Sequence, residues 1–220
     1  GDVSTTSFFV AHNMTTGEGG MITTDDPKID RISRSLREFG RHFSPTGERY
    51  VRLASGPLYD SRYAFERIGY NMRLTDLEAS LGLVQLAKLD AMNEKRRGTA
   101  ALYKKALGDL VEKKFIALPD EPKGSRNTYY ALEIIFEQIP KNCRDLSVIG
   151  RRLGEAGIET RPLMGGNLLR QKAFASRGIA PEKFETAEFL HRRALLVGCH
   201  PLLSKKQIFH VADQIRELYS

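Results

Sequence analysis

Ser7-Phe8-Phe9-Val10-Ala11-His12-Asn13-Met14-Thr15-Thr16-Gly17-Glu18-Gly19-Gly20 is the stretch that orders the rest of the chain. Val3 to Phe9 reads as a strand, and Gly20 to Thr24 as a second one beyond a turn. The turn between them is built of small residues and glycines. Those residues tolerate positive φ and let backbone N–H groups approach a ligand closely. Such a turn alone most often just joins strands. Here a histidine stands at its entrance, five residues after Ser7.

Composition narrows the classes around that turn. The chain has 220 residues, 41% of them hydrophobic and 28% charged, as in a globular protein rather than a disordered one. No apolar run approaches the roughly 20 residues a bilayer-spanning helix needs, so no membrane association is expected. The net charge of +7 comes from basic residues scattered among acidic ones, without a like-charge run. Nucleic-acid binding is therefore not expected, and the cationic excess suits phosphate-bearing small molecules. Cys143 and Cys199 lack metal-type spacing, and so few cysteines suggest a reducing, cytoplasmic setting.

The organisation is α/β. Asp26-Pro27 opens a helix, with Asp as N-cap and Pro at the first helical position, and Gly40 ends it. Residues 41–67, polar and rich in arginine, read as one long loop, a length that usually signals function. Thr75-Asp76-Leu77-Glu78 is a capping box. The helix it starts places Leu74, Leu77, Leu81, Val84 and Leu89 at helical spacing, predicting a core-facing side. A basic helix, continuous with it or resuming near Asp90, follows from Asn93 to about Leu110, with Gly98 as the candidate hinge. Beyond it the pattern predicts strand 128–136, helix 146–156, strand 158–162, helix 182–195 and a last helix capped by Ser204. The expected division is a first domain over residues 1–97 and a small α/β domain over 98–220.

The opening stretch resembles the active-site strand and turn of the DegT/DnrJ/EryC1/StrS sugar aminotransferase family, S-F-x-x-x-K-N-x-x-x-G-E-G-G. The resemblance implies the C-terminal part of a pyridoxal-phosphate-dependent transferase fold: the end of the large cofactor domain plus the small domain. It covers essentially all of this sequence but only the second half of the family's length. The fragment alone is accordingly expected to be inactive. The family's lysine binds the cofactor covalently, and His12 stands in its place. A structural histidine or a decayed site are the plainer readings. However, one branch of the family, the 3-dehydratases of nucleotide-linked 4-keto-6-deoxy sugars, is similar through S-F-x-x-A-H-[HN]-[MI]-T-x-G-E-G-G, which this chain matches from Ala11 to Thr15.

That branch implies pyridoxamine 5′-phosphate or pyridoxal 5′-phosphate as cofactor and His12 as the catalytic base. An imidazole with an ordinary pKa near 6.5 can take a proton and return it near neutral pH. Carried over residue by residue, Ser7, Asn13 and Asn71 are the cofactor-binding candidates. Asn71 lies in Gly69-Tyr70-Asn71-Met72-Arg73-Leu74-Thr75-Asp76, which resembles G-Y-N-x-R-x-x-D, whose asparagine reaches the partner subunit's cofactor; a homodimer is implied. Glu159 to Gln171 resembles the dehydratase form of a substrate loop, with Arg161, Asn167 and Arg170 as substrate-binding candidates. His42 is a weaker one. The cysteine cluster that gives one subgroup a [2Fe–2S] centre has no counterpart in Phe39–Gly56, so no iron–sulfur cluster or other metal is expected. The implied reaction is removal of the C3 hydroxyl of a GDP-4-keto-6-deoxymannose-type sugar, with glutamate as amino donor, in deoxysugar or O-antigen biosynthesis. A sugar aminotransferase, or a non-catalytic truncated member, are the alternatives.

Overall fold

The computed structural model describes residues 1–220 apart from the Ala175 side chain, and it falls into two units, Gly1–Leu89 and Asp90–Ser220. In the first, β1 (Ser4–Ser7) and β2 (Gly20–Thr23) pair antiparallel, with Ser7 opposite Gly20 across the mouth of the glycine turn. The Asp26 carboxylate accepts from Lys28 N and Ile29 N and starts α1 (Pro27–Arg37) as its sequence predicts. Gly40 (φ +82°) then lets the chain reverse. Residues 64–72 run back beside 36–42: Tyr70 N donates to Leu36 O (2.7 Å), Phe39 N to Tyr70 O (2.8 Å) and His42 N to Ala64 O (2.8 Å). A Cβ on Gly69 would overlap the backbone of Phe39 and Gly40, so this crossing needs glycine.

Two expectations for this unit are corrected. Residues 41–67 are not one irregular loop. They contain a hairpin of β3 (Tyr50–Arg52) and β4 (Leu58–Asp60), followed by a short 3₁₀ turn at Ser61–Tyr63. The second concerns α2 (Asp76–Leu86), whose capping box forms as read. Its leucines do not face a core: Leu77 and Leu83 are 77% and 73% exposed, and Leu74, Leu81 and Val84 are exposed too. Apolar residues surround this helix, whereas among the described residues of the unit Ala64 is the single buried apolar side chain. Gly82 of α2 faces the glycine turn, where a Cβ would lie 3.1 Å from Thr16 Cγ2.

The second unit is built differently. It opens with α3 (Leu89–Ala106), which runs unbroken through Gly98, the expected hinge, and continues into the short α4 (Gly108–Glu112). Four antiparallel strands form its sheet, ordered β5-β6-β8-β7: β5 (Ile116–Ala117), β6 (Ala131–Phe136), β7 (Thr160–Pro162) and β8 (Ala194–Gly198). Leu132, Ile134 and Phe136 alternate inward from β6 and join Leu195 and Val197 of β8. Against them pack Tyr103 of α3, Leu107 at the start of α4, Ile149 and Leu153 of α5 (Leu146–Glu155), and Ile208 and Ile215 of α8 (Lys205–Glu217). Between β7 and β8 lie α6 (Lys172–Ala175) and α7 (Glu185–Arg193). The predicted helix 182–195 is thus corrected at both ends. Ala194–Val197 is buried throughout and serves as an inner strand, because β6 and β7 both pair with it.

Arg96 is buried in this unit and donates from Nη1 to Tyr129 O, Tyr130 O and Cys199 O at 3.2–3.3 Å. Three carbonyl oxygens replace part of the water lost by the guanidinium, whose pKa burial lowers. Cys143 and Cys199 are buried and unpaired as a disulfide, and burial pushes the Cys199 thiol up to about 11. No helix among the described residues is long and apolar enough to cross a membrane. The contrast between the units predicts where truncation is felt. Ile149→Ala, at 0% exposure, should cost about 2–5 kcal/mol in urea unfolding. Leu83→Ala on α2 should stay within about 0.5 kcal/mol.

Candidate active site

The glycine turn holds its shape through short-range bonds. Phe8 N donates to Gly19 O (2.9 Å) and Thr16 N to Phe8 O (2.9 Å), closing the turn against the strand end. Thr15 Oγ1 donates to the same Phe8 carbonyl (3.0 Å) and accepts from Gly17 N (2.9 Å). Thr16 is buried, its hydroxyl bonded to Glu18 O. Gly19 (φ +138°) sits so close to Thr16 Oγ1 and Leu74 Cδ1 that a Cβ would come within 2.8 Å of both. Gly19 is thus required by space, and Gly17 (φ +87°) by its backbone conformation.

His12 is half-buried at the entrance to this turn. Its backbone N–H donates to Phe9 O (3.0 Å), and the Phe9 ring stands nearly perpendicular to the imidazole at 6.3 Å. Nδ1 lies 3.0 Å from the Ser7 carbonyl oxygen. A carbonyl only accepts, so Nδ1 carries the proton of this bond; in the neutral ring the lone pair then belongs to Nε2. The Ser7 hydroxyl accepts from Phe9 N (3.3 Å), and Asn13 follows His12 directly. Ser7, His12 and Asn13 are thus gathered on one turn. A cavity of about 870 Å³ in this unit is lined by Thr5, Met21, Arg34, Arg37, Arg73 and Glu78, among others, and His12 is not in its wall.

Asn71 and His42 sit on the paired segments 38–42 and 64–72. Asn71 bridges to Glu38, and its Oδ1 accepts from Arg73 Nε (3.3 Å). Beside it Phe39, at φ +62°, lies between the guanidiniums of Arg73 (4.9 Å) and Arg41 (5.4 Å), an arrangement the sequence did not announce. His42 Nδ1 meets Glu66 Oε1 at 2.5 Å.

In the second unit Arg161 projects from β7, opposite Leu196, and pairs with Glu159 at 2.9 Å. Asn167 and Arg170 lie on the following loop; Asn167 is buried and Arg170 is exposed but paired with acidic side chains. The Asn167 side chain is 3% exposed; its Nδ2 donates to Pro181 O and Glu188 Oε2 (3.0 Å each) and its Oδ1 accepts from Leu169 N (3.2 Å). Arg170 Nε donates to Glu188 Oε2 (2.8 Å), while its Nη2 reaches Glu182 (2.6 Å). Glu188 and His191 of α7, absent from the sequence-based candidates, are the partners that fix this loop. The Arg170, Asn167 and Arg192 donors hold the Glu188 carboxyl at about 2. Among the described residues no cluster of three His, Cys, Asp or Glu side chains is placed to hold a metal ion.

A mixed helix–strand chain carrying these two motifs has the fold of the pyridoxal-phosphate-dependent aminotransferases. Residues 1–216 match the DegT/DnrJ/EryC1/StrS aminotransferase family, and the chain belongs to that family. It is 30% identical to the lipopolysaccharide biosynthesis protein RfbH of Salmonella typhimurium, over 100% of this chain and 52% of the relative. It is 31% identical to the GDP-4-keto-6-deoxy-D-mannose 3-dehydratase of Yersinia pseudotuberculosis, over 100% and 53%. The crystal structure of an aminotransferase from Psychrobacter cryohalolentis superimposes with a TM-score of 0.81 at 25% identity, covering 100% of this chain and 56% of that one. The chain spans about half the length of the curated relatives it matches.

The Glu188 network gives a pH prediction for the loop. Its folded pKa, about 2, lies below its ordinary 4.5, so its stabilisation is complete above pH 4.5 and lost as pH falls towards 2. Amide exchange across residues 165–171, corrected for intrinsic rates, should accelerate over that window. In Glu188→Gln the acid-dependent step should vanish; an identical step in both proteins would place its origin elsewhere.

Proposed function

We propose that this chain carries the proton-transfer turn and substrate loop of a pyridoxamine-phosphate-dependent dehydratase. Its substrate is a nucleotide-linked 4-keto-6-deoxy sugar of the GDP-4-keto-6-deoxymannose type, which loses the C3 hydroxyl. The observation that carries the reading is the bond from His12 Nδ1 to the Ser7 carbonyl, which leaves the lone pair on Nε2. A residue at that position that anchored the cofactor covalently would need a primary amine, and an imidazole has none.

The residues present fit a phosphorylated pyridine cofactor. Ser7 supplies a hydroxyl, Asn13 an amide, and the Thr15–Gly20 backbone a tight turn whose Gly19 leaves no room for a Cβ. When bound, the cofactor supplies an electron sink that lets a proton leave the carbon next to its amine. His12 Nε2 takes that proton and returns it to the departing C3 hydroxyl, the Nδ1–H bond to the Ser7 carbonyl holding the ring in one orientation throughout. Asn71 is assigned to the cofactor phosphate of a second copy of the protein, and glutamate to restoring the amine form. In the second unit Arg161 is assigned to the sugar nucleotide through charge-assisted bonds, with Asn167 and Arg170 shaping the loop beside it. His42, held by Glu66, is a lesser candidate for substrate contact.

Similarity to the Yersinia dehydratase at 31% identity supports this reading. Similarity to the Psychrobacter aminotransferase favours a sugar aminotransferase instead. His12→Lys separates the two. With pyridoxamine phosphate, glutamate and GDP-4-keto-6-deoxymannose, and with this chain carried in a protein of its relatives' full length, the variant should lose dehydration by at least about 100-fold and gain amino transfer. Unchanged dehydration would remove His12 from the reaction, and borohydride trapping of the cofactor on a lysine of the unaltered protein would favour the aminotransferase.

A further inference from the structure

One loop of the second unit takes positive φ at three consecutive residues. Met164, Gly165 and Gly166 follow one another at φ +48°, +111° and +66°. The left-handed region is unfavourable for methionine, and such a run persists only where its surroundings over-determine it. Local bonds do part of this: Gly166 N donates to Leu163 O (2.7 Å) and Gln171 Nε2 to Gly165 O (3.1 Å). The remainder comes from one face of α7. The His191 imidazole occupies the space where a side chain on Gly166 would stand, and its Nδ1 accepts from Asn167 N (3.2 Å). One helical turn earlier, Glu188 is 13% exposed and binds the Asn167 amide and the Arg170 guanidinium.

We propose that Glu188 and His191 are positioning residues that set the conformation of the Gly165–Arg170 loop for a sugar nucleotide. The proposal rests on reading that loop as substrate-facing. Asn167 is engaged on every side and serves as the peg by which the loop hangs from α7. With the peg seated, Met164 and Leu168 stay exposed on the loop's outer side, while Arg161 on β7 is paired with Glu159. A backbone N–H donates to His191 Nδ1, so the ring proton belongs on Nε2, and what position 191 must supply is an acceptor of that reach. Asparagine offers one and alanine does not.

The test uses the purified chain, with amide exchange and GDP-mannose titration as readouts. In His191→Ala the Asn167 amide should exchange about tenfold faster, and in His191→Asn it should return close to the wild-type rate. Glu188→Gln keeps the shape of the side chain and should also speed Asn167 exchange, which covers the case of an alanine variant that fails to fold. GDP-mannose affinity should fall about tenfold in His191→Ala and recover in His191→Asn, while pyridoxamine phosphate affinity stays unchanged. An Asn167 amide as protected in His191→Ala and Glu188→Gln as in wild type overturns the proposal. Faster exchange with unaltered GDP-mannose affinity overturns the positioning role. If exchange responds as expected but the wild-type chain takes no GDP-mannose, the α7 clamp stands and the substrate reading falls.

Discussion

The hydrogen bond between His12 Nδ1 and the Ser7 carbonyl, 3.0 Å long, settles which ring nitrogen is basic. It joins the last residue of β1 to the first residues of the turn, so the strand register and the ring orientation are one constraint. The pairing of Ser7 with Gly20 fixes where that carbonyl points. Thr15, Thr16 and the glycines then hold the turn against the strand end, with Gly82 of α2 admitting Thr16 from the other side. A lysine in place of His12 would have neither this bond nor a ring to orient.

The two units resolve their burial in opposite ways. The second carries a contiguous core around Leu132, Ile134, Ile149 and Ile215, and its site loop hangs from α7 by side-chain bonds. The first is held by backbone pairing and caps, with the leucines and Val84 of α2 exposed. Hydrophobic burial is the dominant stabilising contribution in most folds, and within the first unit little of it is available. Apolar surface of that extent is unusual on a monomeric domain.

Much of this was readable because it is local. The Asp26, Thr75 and Ser204 caps bond within three residues, and the strand–turn–strand around His12 closes through neighbours. The hairpin inside 41–67 was not legible, since it depends on Tyr50 pairing with Asp60 across a stretch that looks like plain loop. Nor was β8: helix α7 runs into it with no glycine or proline between, and a short buried apolar run reads alike as helix or strand. At the site, Ser7, His12 and Asn71 came from motif resemblance. Glu188 and His191 did not, because their roles exist only through Asn167, 21 and 24 residues away.

The most direct test is a long-range ¹H–¹⁵N correlation spectrum of the His12 imidazole in its neutral form. The geometry predicts the tautomer protonated at Nδ1, with an unprotonated Nε2. A ring protonated at Nε2 and bare at Nδ1 would contradict it and remove the base from the proposed reaction.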